Sequence, residues 1–349
     1  MILIGAMLIL CAIKWKMEPS LLLPMGFGAI LVNLPFVSAE AVHTLYEVGI
    51  ATELFPLLLF IGIGAMIDFG PLLSNPKLLL FGAAAQLGIF ITLMLARLVG
   101  FELNDAAAIA IIGAADGPTS IYVAEYFDSQ YTGAIIVAAY SYMALVPIIQ
   151  PPVIRLITTS KERRIRMPYK PASVSRTTRI LFPIAVTIIA GAVAPKSAEL
   201  IGFLMFGNLI RECGVLKSLS ESAQNVLANL ITLVLGIAVA FSMRAESFVK
   251  VETLVIIGLG LIAFVFDTMG GVLFAKLMNL FAKNKVNPMI GAAGISAFPM
   301  SSRVVHKMGL SEDPYNYLLM HAAGANVSGQ IASVIAGGLV ISLVENLLA

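Results

Sequence analysis

The stretch IAIIGAADGPTSIYVAEY, Ile109–Tyr126, decides how this chain is read. An acid, Asp116, stands inside an apolar run and is followed at once by Gly117-Pro118-Thr119. The run before it, Ala106–Ala115, is too short to span a bilayer, which takes ~20 residues. Gly-Pro breaks a helix, and the residue preceding a proline is pushed out of the α region. The pattern predicts two half-helices meeting at an unwound, charged centre. An Asp at mid-membrane costs about 2.5–3.5 kcal/mol on insertion scales. Free carbonyls and a carboxylate are tolerated at that depth only where they are buried in protein or line a cavity. Transporters build ion sites from discontinuous helices of this kind.

The device returns in the second half, where Val286–Arg303 reads VNPMIGAAGISAFPMSSR. GAAD begins at Gly113 and GAAG at Gly291, an offset of 178. GFGAILVN (Gly26–Asn33) lies over MFGNLIRE (Met205–Glu212) at 179, and LLLFIGIGAMIDF (Leu57–Phe69) over LVLGIAVAFSM (Leu233–Met243) at 176. Three offsets that agree in order predict two membrane repeats, 1–150 and 180–349, joined by a connector, 151–179. Each repeat reads as an odd number of crossings, so the two are inverted. The expected fold is an all-α polytopic membrane protein with two inverted-topology repeats and broken helices, like an elevator transporter. Paired breaks at matching places in two halves point to a transporter's binding site.

Composition supports the class. Hydrophobic residues are 59% of the 349, charged residues 12%, and mean hydropathy is +0.95. Soluble domains are about 25% charged. The net charge of +2 gives no reason to expect a nucleic-acid partner. Cys11 and Cys213 suggest neither a disulfide framework nor a metal site. His43, His306 and His321 show no metal-ligand spacing, and HExxH, Walker and GxSxG motifs are absent from the sequence. MILIGAMLILCAIK at the start has its basic residues, Lys14 and Lys16, after the apolar run. It reads as a retained anchor with its C-terminal end in the cytoplasm.

Eight of the 22 basic residues fall between Arg155 and Arg179, against one acid, Glu162. A short loop this basic is expected to be cytoplasmic, which places the chain in the cell's inner membrane. Further on, Leu254–Phe266 and Val272–Phe281 read as separate apolar segments, with Asp267 at an interface, as Asp68 is in the first half. Gly270-Gly271 permits close helix packing. HAAGANVSGQ (His321–Gln330) reads as another irregular crossing.

Asp116 is the first candidate for chemistry. As a cation ligand it supplies one hard oxygen, and carbonyls freed by the break, with the Thr119 and Ser120 hydroxyls, supply others. Asn287 and Ser296 offer oxygens in the second break, where Gly291 and Gly294 allow close backbone approach. Arg303 is suited to an anion such as a carboxylate or carbamate through paired donors. Tyr142 is a candidate proton donor. The plainer readings are an acid paired with a buried arginine, a packing serine, an arginine reaching to the interface and a belt tyrosine.

GAADGPTSIY, GNLIRECGVLKSLSESAQN, GGVLFAKLMNLF and NPMIGAAGISAFPMSSRV, followed by HAAGANVSGQI, resemble the β-subunit of the biotin-dependent sodium-pumping decarboxylases. Those complexes act on oxaloacetate, methylmalonyl-CoA, glutaconyl-CoA or malonate. LLLPMGFGAILVNLP and FIGIGAMIDFGPLLSNPK extend the resemblance over nearly the whole chain. It implies a translocase that decarboxylates carboxybiotin, consumes a proton and exports Na+. It implies partners too: a soluble carboxyltransferase α-subunit, a biotin carrier protein or domain, and a small membrane γ or δ subunit, with several copies in the complex. No AMKM biotinylation site occurs here, so the carboxybiotin is expected on a partner chain. Carried over by motif, the sodium-site aspartate is Asp116 and the functional tyrosine Tyr142. Asn287, Gly291, Ser296 and Arg303 are the residues of the second motif. Ala114, Ser301-Ser302 and Ala325 depart from the family pattern, which has glycine, alanines and proline there.

In the mechanism expected on these residues, sodium enters from the cytoplasm to Asp116 and near Ser296 and Asn287, with carboxybiotin beside Arg303. Proton binding through Asp116 or Tyr142 then expels the ion, by an elevator-like or rocking motion of the broken segments. The alternative is a secondary transporter exchanging sodium for an organic anion without catalysis. A membrane scaffold would leave both polar breaks unexplained.

Overall fold

The computed structural model describes residues 1–16, 18–168 and 174–348. Lys170 of the connector lies outside them. Every regular element among the described residues is helical. The helices used below are α1 (Ile2–Lys14), α2 (Pro19–Val32), α3 (Glu40–Tyr46), α4 (Leu54–Met66), α5 (Leu79–Ala84), α6 (Leu87–Val99), α7 (Leu103–Ala110) and α8 (Gly117–Tyr126). They continue with α9 (Thr132–Ile157), α10 (Arg176–Val193), α11 (Ala198–Glu212), α12 (Ala228–Val239), α13 (Val251–Phe281), α14 (Met289–Ala292), α15 (Met300–Glu312) and α16 (Leu319–Leu348). Six spans among the described residues are long and apolar enough to cross a membrane: Pro76–Val99, Thr132–Ile157, Arg176–Val193, Lys217–Ser242, Val251–Phe281 and Leu319–Leu348. The pair Glu40–Ala51 and Leu54–Met66, bent by 63°, has the length and composition of a broken span or a re-entrant loop. The chain is an all-helical polytopic membrane protein.

Between membrane helices there is little hydrophobic driving force, so association rests on close packing and small residues. The crossing of α4 with α11 shows it. A Cβ on Gly64 would stand 1.8 Å from the Leu204 carbonyl oxygen, and one on Gly207 would stand 2.0 Å from that of Ile61. The packing is reciprocal between the two halves. α1 lies on α2 as α10 lies on α11; α2 meets α12 as α4 meets α11; α9 packs on α13 as α16 packs on α5.

Three expectations change. α13 is one helix of 31 residues, because Gly270 and Gly271 bring it against Ala84 and Gly291 instead of breaking it. Asp267 therefore stands in mid-helix, 0% exposed, and is not interfacial. His321–Gln330 lies inside the unbroken α16. Its glycines serve close approach: a Cβ on Gly329 would lie 2.2 Å from the Gly294 carbonyl oxygen. Asp68 is half exposed and pairs with Arg179, as an interfacial acid should.

Candidate functional site

The first break forms as its sequence dictates. α7 tightens into a 3-10 turn, Ile111–Ala114, and Ala115 takes a left-handed conformation with φ 51°. Asp116 is extended and caps α8, where Pro118 sits in the first turn and needs no donor. In the second half, α14 ends at Ala292 and α15 begins at Met300, leaving a non-helical link between them.

The two breaks meet. Ser296 N–H donates to the Ala114 carbonyl at 3.2 Å. Oδ2 of Asp116 accepts hydroxyl bonds from Ser333 at 2.7 Å, Thr119 at 2.9 Å and Ser296 at 3.2 Å. Oδ1 faces the Thr119 N–H at 3.5 Å, and Ser120 Oγ donates to the Asp116 carbonyl at 2.9 Å. Asp116 is 3% exposed; Thr119, Ser120 and Ser333 are fully buried. Gln330 Nε2 donates to both the carbonyl and the hydroxyl of Ser296. Asn326 Nδ2 donates to the Ile295 carbonyl at 2.6 Å, and its Oδ1 has no partner. Among the described residues no basic side chain pairs with this carboxylate, which speaks against the plain reading of a buried ion pair with arginine. Hydroxyls carry lone pairs as well as protons, so Thr119, Ser296 and Ser333 can turn from donors to the carboxylate into ligands beside it. A site of this composition suits a small hard cation.

A family model described as the Na+-transporting oxaloacetate decarboxylase beta subunit matches residues 1–344. The chain belongs to that family. It is 50% identical to the methylmalonyl-CoA decarboxylase subunit beta of Veillonella parvula, over 99% of this chain and 93% of that one. It is 49% identical to the glutaconyl-CoA decarboxylase subunit beta of Acidaminococcus fermentans, over 99% and 92%. Identity to the oxaloacetate decarboxylase beta chain of Klebsiella pneumoniae is 42%, over 99% and 94%. Membership favours the decarboxylase reading over the secondary transporter.

In this beta subunit the residues expected at the site fall into separate groups. Asp116, Thr119 and Ser296 come together. Asn287 stands at the other end of the second broken segment. Its Nδ2 donates to the carbonyls of Arg163 at 2.8 Å and Ile165 at 2.9 Å, so it fastens the connector. Its Oδ1 accepts from Met289 N–H at 3.1 Å. Gly291 is pressed on α13, where a Cβ would stand 2.0 Å from the Gly271 carbonyl oxygen. Tyr142 faces α13 with its hydroxyl on the Ile257 carbonyl. Its neighbour on the other side of α9, Tyr140, lies against Gly117 with its hydroxyl unpartnered. Arg303 is exposed on α15, one turn from Lys307, and makes no ion pair among the described residues. The contributions of α16, namely Ser333, Gln330 and Asn326, were not picked out from sequence. Their signal was present as a string of polar residues in an otherwise apolar segment.

The connector is held at the far end of α15. Arg163 Nε bonds Glu312 at 2.6 Å, and Arg166 Nε bonds Asp313 at 2.5 Å. The Arg163 hydrogen bond holds the Glu312 carboxyl below its ordinary range. Arg166 does the same for Asp313.

Proposed function

We propose that this chain is the membrane subunit of a sodium-pumping decarboxylase, decarboxylating carboxybiotin with consumption of a proton and export of Na+. The observation that carries the reading is the junction of two broken segments on one buried carboxylate, in a chain of this family. Sodium is the cargo, bound by Asp116 with the Thr119, Ser296 and Ser333 hydroxyls. Carboxybiotin, carried on a partner chain, supplies the CO2 whose release drives transport. Arg303, exposed and without an ion pair among the described residues, has the donors to hold its carboxylate from the connector side, with Lys307 adding charge. Exchange of sodium for a proton at Asp116 empties the site toward the outside. Each charge moved against 100 mV costs about 2.3 kcal/mol, and a proton travelling inward offsets one such charge.

The partners in this reading are a soluble carboxyltransferase α-subunit, a biotin carrier and a small membrane γ or δ subunit, in a complex with several copies of this chain. The membrane is the cell's inner membrane, with connector residues 155–179 cytoplasmic. Reciprocal packing of the two halves supports a pair of inverted repeats, 1–150 and 180–349. In such a frame the broken segments move together as an elevator-like or rocking unit.

The test is a streptavidin-detected pull-down from native membranes, with decarboxylation assayed on the eluate with and without sodium. A biotinylated partner and sodium-dependent turnover are expected, and the attached α-subunit then identifies the acid or acyl-CoA. A protein that purifies without biotin and takes up an organic anion with sodium would overturn the reading.

A further inference from the structure

Asp267 is a buried carboxylate that the Asp116 site does not use. It lies at the middle of α13, 0% exposed, on the face that packs against both broken segments. One turn on, Gly271 touches Gly291 of the second segment. Asp267 itself faces the first: a Cβ on Gly113, in the turn leading to Asp116, would stand 2.6 Å from Oδ2. Oδ1 accepts from the backbone N–H of Gly88, where the chain restarts as α6 after the break at Ala85-Gln86. This amide fixes the carboxyl, with Oδ2 toward the turn. Oδ2 has no hydrogen-bond partner among the described residues.

Among the described residues nothing packed on α13 brings a charge to this oxygen. On α6, Arg97 is tied to the Phe101 carbonyl at the far end. On α9, Tyr142 bonds the Ile257 carbonyl, Tyr140 lies against Gly117, and Arg155 stands in the last turn. On α7, Asp105 is bonded by Ser129. α5, α14 and the Ile111–Ala114 turn carry no titratable side chain. On α13 itself, Lys276 is held by Ile157 and Glu162, Glu252 is in the first turn, and Thr268 donates to its own backbone. A carboxylate left ionised here would be a buried charge with one oxygen unpaired, an arrangement proteins avoid by neutralising the group. A metal ion would need several oxygens. The Gly113 test position that meets Oδ2 has Ala263 as its other neighbour, with a Cβ at 2.7 Å, and neither residue offers a side-chain oxygen.

We propose that Asp267 is a second proton-binding carboxyl of the translocation path. It carries a proton on Oδ2 while the Gly113 turn lies against it, and releases the proton to water when that turn moves away. The carboxylate left behind keeps the Gly88 amide donor on Oδ1, and rebinding a proton lets the turn return. The first broken segment is thereby linked to protonation at two points, Asp116 in the break and Asp267 behind it. The proposal rests on the pump reading for its place in the cycle.

The test uses the intact complex and two readouts. The first is modification by dicyclohexylcarbodiimide, which reacts with protonated carboxyls in apolar surroundings, mapped by peptide mass spectrometry across pH. Ordinary aspartates, with pKa about 3.9, are ionised at neutral pH and do not react. An adduct on Asp267 at neutral pH, fading as the pH rises, is expected. The second is the pH profile of sodium-dependent turnover in Asp267→Asn, whose amide keeps the acceptor for Gly88 but exchanges no proton. Turnover is expected to fall about tenfold or more and to lose its dependence on pH on the alkaline side, in a complex that still co-purifies. Absence of the adduct at every pH, or a variant with the parental pH profile, overturns the proposal. Labelling needs no turnover, so an adduct on Asp267 in a protein without decarboxylase activity would sink the pump reading and leave the proton site standing.

Discussion

Ser296 of the second broken segment donates to Asp116 of the first, Oγ to Oδ2 at 3.2 Å, across 180 residues of sequence. Ser333, from α16, completes the contact by bonding Asp116 at 2.7 Å and Ser296 at 3.1 Å. Three elements therefore share one carboxylate oxygen. Asp116→Asn removes the charge and replaces one of the two carboxylate acceptor oxygens by an NH2 donor. Sodium-dependent decarboxylation is expected to disappear, or to need about 100-fold more sodium for half-activation. A sodium titration of the purified complex checks it, and near-normal activation would remove Asp116 from the site.

Ser333→Ala tests the hydroxyl that sequence reading passed over. The loss is one short hydrogen bond and one potential ligand, without a change of charge. Half-activation is expected to move up about tenfold, with maximal turnover less affected. An unchanged sodium titration would mean that Ser333 merely seals the site.

What could be read from the sequence follows the local signals. Gly117-Pro118 after Asp116 is a break by backbone chemistry alone, and the structure has it where expected. The join to Ser296 was legible from the matching offsets. The α16 contribution was not, because helical spacing says which face a serine is on and nothing about which distant segment meets that face. Asp267 was misplaced for a related reason. An acid next to Thr and a Gly-Gly pair resembles a helix end, and only packing against Gly88, Gly113 and Gly291 reveals a close-packed helix centre. Asn287 shows the remaining limit: its polarity marked it as functional, but its partners are connector carbonyls.

Gly291→Ala probes how tightly the second segment is seated. The added Cβ would fall 2.0 Å from the Gly271 carbonyl, a backbone atom that cannot rotate aside. α14 must then withdraw from α13, and the far end of its segment carries Ser296. Loss of turnover of about tenfold or more is expected, with a destabilisation of about 1–3 kcal/mol from overpacking. Thermal unfolding of the detergent-solubilised protein measures the second effect. Tolerance of the alanine in both assays would show that this contact opens freely.

The connector clamp has a defined pH response. Arg163 keeps the folded Glu312 carboxyl below its ordinary value of about 4.3. A depressed carboxyl contributes stability that is complete above the unfolded pKa and is lost as the pH falls through the folded one. The clamp should therefore be unchanged from about pH 8 to pH 5 and loosen only in more acid solution. Hydrogen exchange over Ser160–Arg166, corrected for intrinsic rate, follows it. Glu312→Gln should show the loosened state already at neutral pH.

Asn287→Ala separates two roles for one residue. Asn287 Nδ2 donates to the carbonyls of Arg163 and Ile165, and Asn316 Nδ2 also donates to Arg163 at 2.9 Å. Removing the amide leaves the Ile165 carbonyl short of a donor and weakens the hold on Arg163, at about 1–3 kcal/mol for each buried group left unsatisfied. The Asp116 cluster is untouched by this change, because its hydrogen bonds come from Thr119, Ser296 and Ser333. The expected result is slower turnover with the sodium concentration for half-activation unchanged, together with faster tryptic cleavage at the connector arginines. A direct sodium ligand would behave in the opposite way, raising that concentration while the connector stayed protected. The two measurements on one variant thus decide whether Asn287 binds the ion or fastens the connector to the second broken segment.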